Sequence, residues 1–268
     1  MHESTLVLDG HVHLYPEYNF GQAVQIGTAN LRKCLKRVGI NNSNHVVSGW
    51  LLTERWDCNF FKSISEMPQK YSQGDCNFIP SAEKEALMLE KNGQVEHFVF
   101  AGRQLVSKDG LEVLSLASTL FVEDRTLSTK ELIRAVNEAG GIPVLNWAPG
   151  KWFFKRGKIV QEIFETFDPS DLVIGDNPLR HVLWPKPALM KVAMKQGYKL
   201  IAGSDPLPFV GEEKYIGTYC FTFNGVFDST KPVTSVRELL KQRVSVNILG
   251  RRNGLLAFAS RETRIMMK

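Results

Sequence analysis

The sequence lacks any pair of cysteines in CxxC spacing. Its four cysteines, Cys34, Cys58, Cys76 and Cys220, follow no framework pattern, so no disulfide scaffold is expected and the thiols read as free in a reducing compartment. No stretch approaches the ~18 consecutive apolar residues of a membrane-spanning helix. The opening residues MHESTLVLDG have no basic segment leading into a long apolar core, so a secretory signal is not expected and the chain reads as cytoplasmic. Internal repeats and low-complexity tracts are missing as well. Charge of one sign is in short supply: 33 Lys and Arg against 28 Asp and Glu leave a net +5, scattered along the chain. Such an excess permits a small anionic substrate and argues against a nucleic-acid partner.

What is present is ordinary globular material. The 268 residues, 43% of them apolar, can build one large α/β core. Short apolar runs alternate with helical patterns, the signature of βα repetition. Strands are expected over 5–13, 45–53, 95–106, 111–117, 142–146, 172–175 and 198–203. The third and fourth are joined by Ser107-Lys108-Asp109-Gly110, a hairpin turn whose Asp-Gly supplies positive φ. A helix over 129–139 is marked by the capping box of Ser128 and Glu131 and stopped by Gly140. Ser235 and Glu238 form the same signature for a late helix, and a third helix is expected over 188–196. Residues 59–80 are polar and turn-rich and read as an excursion from a strand end. The basic, aromatic segment KWFFKRGK (151–158) reads as a lid over a pocket, with nucleic-acid stacking as its alternative. A single domain over 1–268 is expected, with a C-terminal helical part from about residue 230.

Chemistry gathers where the strands stop. In the run VLDGHVH, alternation along an extended strand places Asp9, His11 and His13 on one face. Other strand ends carry Thr53-Glu54-Arg55, Gly110-Leu111-Glu112, Asn146-Trp147, Asp176-Asn177 and Gly203-Ser204-Asp205. In parallel α/β sheets and barrels such ends form one rim where ligands bind. Two imidazoles and two carboxylates there suit one divalent ion of zinc, manganese or iron, at most two. The competing reading for a lone buried histidine is a hydrogen-bonded core residue, and for Glu112 or Asp205 a solvated or turn carboxylate.

The motifs DGHVH, LLTER, GLEVL, LNWAPG and GSDPL, in that order, resemble the PHP (polymerase and histidinol phosphatase) family over roughly the first 210 residues. The resemblance implies a distorted (β/α)7 barrel, amidohydrolase-like in outline, that hydrolyses phosphoesters with up to three metal ions. It implies His11, His13, Glu112 and Asp205 as ligands of one metal. Three departures stand beside it. Thr53-Glu54-Arg55 replaces the usual Thr-Asp-His, Asn146-Trp147-Ala148-Pro149 replaces Ala-His-Pro, and Gly203-Ser204-Asp205-Pro206-Leu207 replaces Gly-Ser-Asp-Ala-His. The histidines of the second and third metals are therefore missing from these motifs. Either a single-metal enzyme or a former enzyme that now only binds is left.

Roles follow for the remaining groups. Arg55, standing where a second metal's charge would lie, can hold an anion bidentately, joined by Lys151 and Arg180. Glu54 and Asp9 are the candidate acid or base groups, although Glu54 can simply pair with Arg55 and Asp9 can orient a histidine. His45, His97 and His181 stand singly, His181 being the one able to replace a lost ligand, and Arg251 with Arg252 reads as a solvated pair. The expected function is a metal-dependent phosphoesterase on a small anionic substrate. The alternatives are a non-catalytic binding module or partner subunit, and an amidohydrolase-like C–N hydrolase. The last lacks the intervening histidine pair and bridging lysine it would need.

Overall fold

The structure is a computed structural model that describes residues 3–40, 46–242 and 244–267. In chain order it begins with β1 (Glu3–Val12), α1 (Phe20–Arg37), β2 (Val46–Leu52), α2 (Phe60–Glu66), α3 (Pro68–Tyr71) and β3 (Cys76–Pro80). Next come β4 (Ala86–Lys91), β5 (Gln94–Phe100), β6 (Gly102–Val106), β7 (Glu112–Leu116), α4 (Thr129–Glu138) and β8 (Ile142–Asn146). The last third holds α5 (Phe154–Thr166), β9 (Val173–Asp176), α6 (Ala188–Lys195), β10 (Leu200–Ala202), β11 (Tyr219–Val226), α7 (Pro232–Lys241), β12 (Asn247–Gly250) and α8 (Leu255–Met266).

The strands form two mixed sheets, ordered β12-β11-β1-β2-β5-β4-β3 and β10-β9-β8-β7-β6. This corrects the expectation of a distorted (β/α)7 barrel: the class is α/β, but the sheets do not close into one. The reason lies in the hairpins. A βα barrel needs parallel neighbours, whereas β3, β4 and β5 pair antiparallel, as do β6, β7 and β8, and β11 runs antiparallel to β1. The run 95–106, read as one strand, breaks at Ala101, so that β5 and β6 belong to different sheets. Gly102 makes the break possible, because a Cβ there would lie 2.0 Å from the Leu52 carbonyl oxygen.

Both faces of β1 are covered, as expected of a near-continuous apolar strand. Val7 and Val12 pack with α1 residues Ala23, Val24, Leu31 and Leu35, while Leu6 and Leu8 pack with Phe100, Phe221 and the α7 residues Val236 and Leu240. The α1 apolar positions recur at helical spacing and its amide end is capped by Asn19, which accepts from Gln22 N. The α4 capping box of Ser128 and Glu131 is formed, and Gly140 follows with φ 72°. The second expected box is not: α7 starts earlier, at Pro232, and the Ser235 hydroxyl accepts from Asp228 N. The polar stretch 59–80 folds into α2, α3 and the edge strand β3. All four cysteines are free. No helix among the described residues is long and apolar enough to cross a membrane. His45 lies outside the described residues.

His97 on β5 is a core histidine, bonded through Nδ1 to the Ser48 hydroxyl at 2.9 Å and edge-on to Trp50. Burial, with a smaller contribution from Arg32, lowers its pKa to about 3. Between the ordinary histidine value of ~6.5 and pH ~3, the unfolded chain takes up a proton that the folded chain refuses, so stability falls as pH falls through that window. Urea unfolding of a His97→Leu variant is expected to give a shallower loss of stability with acid across this range. An unchanged slope contradicts the assignment.

Candidate metal centre

β1 and β10 end side by side, and that placement builds the centre. Ala202 closes β10, and the next residues cross over β1 so closely that a Cβ on Gly203 would sit 2.3 Å from His11 N. Asp205 N then donates to the His11 carbonyl at 2.8 Å. Asp205 itself has φ 43°, the left-handed region that aspartate tolerates better than most residues, and Pro206 follows it. Its backbone carbonyl accepts from Nη2 of the buried Arg261 at 2.7 Å, which fixes the turn from the α8 side.

Three ligand-capable side chains meet as a result. His11, His13 and Asp205 offer one donor atom each, all within 4.8 Å of one another. The two Nε2 atoms are 3.0 Å apart, and they lie 3.4 and 3.5 Å from the same oxygen, Oδ1 of Asp205. Bonds of ~2.0–2.2 Å in tetrahedral arrangement place ligand atoms roughly 3.3–3.6 Å apart; the two nitrogen–oxygen edges match this, and the nitrogen–nitrogen edge is shorter. Both imidazoles are buried. Their Nδ1 atoms are buried without a partner, so the rings make their polar contacts through Nε2, with each other, with Asp205 and, from His11, with Gln104.

The electrostatics favour a neutral His13 imidazole facing an ionised Asp205 carboxylate. Burial lowers the pKa of His13, with Asp205 opposing and the neighbouring His11 adding to the fall. Burial raises the pKa of Asp205, but His11 and His13 outweigh it and bring the carboxyl far below its ordinary range. A neutral nitrogen at His13 and an anionic oxygen at Asp205 are protonation states that suit a divalent cation.

Asp9 does not face the cluster. Its carboxylate accepts three backbone N–H groups: His11 at 3.2 Å, Ser204 at 2.8 Å and Gly217 at 2.7 Å. It thereby ties β1 to the turn carrying Asp205. Burial raises its pKa to about 6, the three amides and the Ser204 hydroxyl opposing the rise. Glu112 stands beside the triad and outside it. Lys151 Nζ binds its Oε1 at 2.6 Å and Asn146 Nδ2 its Oε2 at 3.2 Å, although its charge is still felt at His13.

The cations are distributed differently from their expected roles. Arg55 is partly exposed, holds Asp57 through two bonds of 3.0 and 2.6 Å, and lies over the Tyr15 ring, which in turn stacks on His13. Arg180 is buried and gripped by Asp176, with a third bond to the Trp184 carbonyl at 2.8 Å. Its donors are committed inside the fold, which removes it from the expected anion clamp. Glu54 is buried and caps α2, accepting from Phe60 N and Phe61 N. His181 sits between Trp184 and Phe258, away from the triad. Arg252 is bonded to the carbonyls of Arg180, His181, Val182 and Trp184, so it is no solvated residue. KWFFKRGK is no separate lid: Trp152 is buried and donates to the Asn146 carbonyl at 3.2 Å, and α5 begins at Phe154.

Two residues at the centre escaped the sequence reading. Gln104 on β6 brings Oε1 to 3.2 Å from His11 Nε2. Arg261, midway along α8, binds Glu212 at 3.0 Å as well as the Asp205 carbonyl. Neither carries a local signature, since each depends on a tertiary neighbour.

No family model matches the chain, and no curated protein matches its sequence. Among solved structures the fold is similar to PsfC from Pseudomonas syringae PB-5123, at 14% identity and a TM-score of 0.55, with 100% of each chain covered. A two-domain protein from Bacteroides vulgatus ATCC 8482, containing a predicted PHP-like metal-dependent phosphoesterase, overlaps more loosely, with 13% identity and a TM-score of 0.46. That overlap takes in 91% of this chain and 65% of the other. Likeness at these identities concerns fold alone and does not establish membership of the PHP family.

Two variants test this arrangement. Gly203→Ala is expected to cost about 1–3 kcal/mol by forcing β1 and the Asp205 turn apart, with loss of divalent-metal retention measured by plasma emission spectrometry. Wild-type melting and metal content would refute the close-approach argument. Arg180→Gln is expected to lower stability by roughly 3–5 kcal/mol through the stranded Asp176. A variant that unfolds like the wild type in urea contradicts the structural role.

Proposed function

We propose that the protein is a hydrolase dependent on a single divalent cation, acting on a small anionic substrate, with a phosphoester as the favoured class. The observation that carries this reading is the triangle of His11 Nε2, His13 Nε2 and Asp205 Oδ1. The motif order in the sequence supports the choice of phosphoester. Zinc, manganese or iron suits two imidazole nitrogens and one carboxylate oxygen. When bound, such an ion supplies Lewis acidity, polarising an oxygen of the substrate or of water.

The protein's own residues supply the rest. His11, His13 and Asp205 hold the ion from β1 and the turn after β10. Tyr15 stacks on the His13 ring at 5.3 Å and restricts its rotation. Arg55 is the cation best placed to meet a substrate anion, since a third of its side chain is open to solvent and its ion pair is with the equally exposed Asp57. Exchanging that exposed carboxylate for a substrate phosphate costs little, because both partners are already hydrated. Lys151 can join it by releasing Glu112, the two side chains being 26% and 15% exposed. Asp9 acts through the backbone of His11 and Ser204 and is a positioning residue.

A second reading, a binding module that retains a metal without turnover, is favoured by one observation. Among the described residues only one group of three metal-capable side chains is found. The two readings part on a paired experiment with chelator-treated protein. Calorimetric titration with Zn²⁺ or Mn²⁺ is expected to give one site per chain, weakened at least ~100-fold in His11→Ala or Asp205→Asn, and metal addition is expected to restore 4-nitrophenyl phosphate hydrolysis. Binding without hydrolysis of any phosphoester selects the module, and no binding refutes both. Arg55→Ala is expected to weaken inhibition by inorganic phosphate about tenfold, in line with loss of a charge-assisted pair; unchanged inhibition removes Arg55 from the anion site.

A further inference from the structure

We infer that the groove between Trp56 and Phe121 is a binding site for a planar aromatic ring carrying a negative charge. Two adjoining cavities, of about 540 and 360 Å³, lie beside α2 and along β6 and share Trp56, Arg103 and Phe121 in their walls. Either one has the size of a small-molecule site. Trp56 is 65% and Phe121 48% exposed, although large aromatic side chains are ordinarily taken into a core.

Each ring carries a guanidinium on its face. Arg125 lies 5.1 Å from the centre of the Trp56 ring and Arg103 lies 5.3 Å from that of Phe121. Arg103 is anchored, donating to the Arg55 and Cys58 carbonyls and to Asn59, whereas Arg125 is exposed at the rim. An incoming ring therefore meets π faces already polarised by cations, and an attached anion meets the cations themselves.

The charge around the groove is only partly balanced from within. Glu54 answers Arg103 at 4.0 Å while accepting from the α2 amides, and the other carboxylates that line it have their own partners: Asp57 pairs with Arg55, Glu66 with Lys62 at 3.7 Å, and Asp124 accepts from the Thr126 amide and hydroxyl. Lys84 and Arg125, both exposed, have no carboxylate within ion-pair distance among the described residues. A neutral aromatic would leave these cations unanswered, and a bare anion would leave the rings exposed. Only a ligand with both features uses the whole surface.

The groove also leads to the metal centre. Trp56 follows Arg55, which lies over Tyr15 and so over the ring stacked on His13, and Gln104, in the wall of the smaller cavity, reaches His11. The binding site is nevertheless independent of any metal, which separates its test from that of the hydrolase reading.

The test uses metal-stripped protein and calorimetric titration with three probes: 1-naphthylphosphonate, methylphosphonate and 1-naphthalenemethanol. The first is expected to bind at least about tenfold more tightly than either of the others, one aromatic stack being worth about that factor. Trp56→Ala and Arg125→Gln are each expected to weaken it at least fivefold while leaving the melting temperature unchanged, both side chains being exposed. Equal affinity for the three probes, or wild-type affinity in both variants, overturns the assignment.

Discussion

The approach of Gly203 to His11 governs the rest of the structure. A side chain on residue 203 would have to occupy the space of the His11 backbone, 2.3 Å away, so only glycine lets the turn after β10 cross the end of β1. Once they touch, the Asp9 carboxylate stitches them by accepting from Ser204 N and His11 N. Asp205 is then held in a left-handed conformation by its neighbours on both sides, the His11 carbonyl and the Arg261 guanidinium. Backbone strain of this kind persists where surrounding contacts over-determine it, and a ligand position is a place where it is useful. The donor triangle is thus a consequence of main-chain packing, with the side chains arriving last.

Some of this was legible in the sequence. His11 and His13 stand on a strand whose alternation is unambiguous, and GSD follows an apolar run, so both halves of the centre could be placed at strand ends. Strand direction was legible only at Asp109-Gly110, where the expected hairpin joins β6 to β7. The break of the run 95–106 into two strands of different sheets carried no local mark, and the other antiparallel pairs that prevent a closed barrel appear only when β4, β11 and β12 take their places. β11 lies 26 residues or more past Ala193 in a segment whose pairing partner, β1, is at the other end of the chain. Contacts of that separation leave no local trace.

Charged residues show the same limit in another form. Residue type reports that Arg55, Lys151 and Arg180 are cationic, not whether their charge is already answered. Arg180 stands four residues after Asp176, a spacing that could have suggested the internal pair. For Glu112 and Lys151 the pairing joins β7 to the turn after β8, and for Glu54 the partner is the amide end of α2; neither follows from spacing. Burial separates Arg180 from the other two: Arg180 is sealed in at 3% exposure, whereas Lys151 and Arg55 are both part-exposed, at 26% and 34%, and so are readier to meet a substrate.

The account rests on one cation between β1 and the turn after β10. Crystals grown with Zn²⁺ or Mn²⁺, with diffraction recorded on both sides of the metal absorption edge, test it directly. It predicts one anomalous peak, about 2.0–2.2 Å from the Nε2 atoms of His11 and His13 and from the Asp205 carboxylate. A triangle without a peak, or a peak bound at Glu112 and away from both histidines, would contradict it.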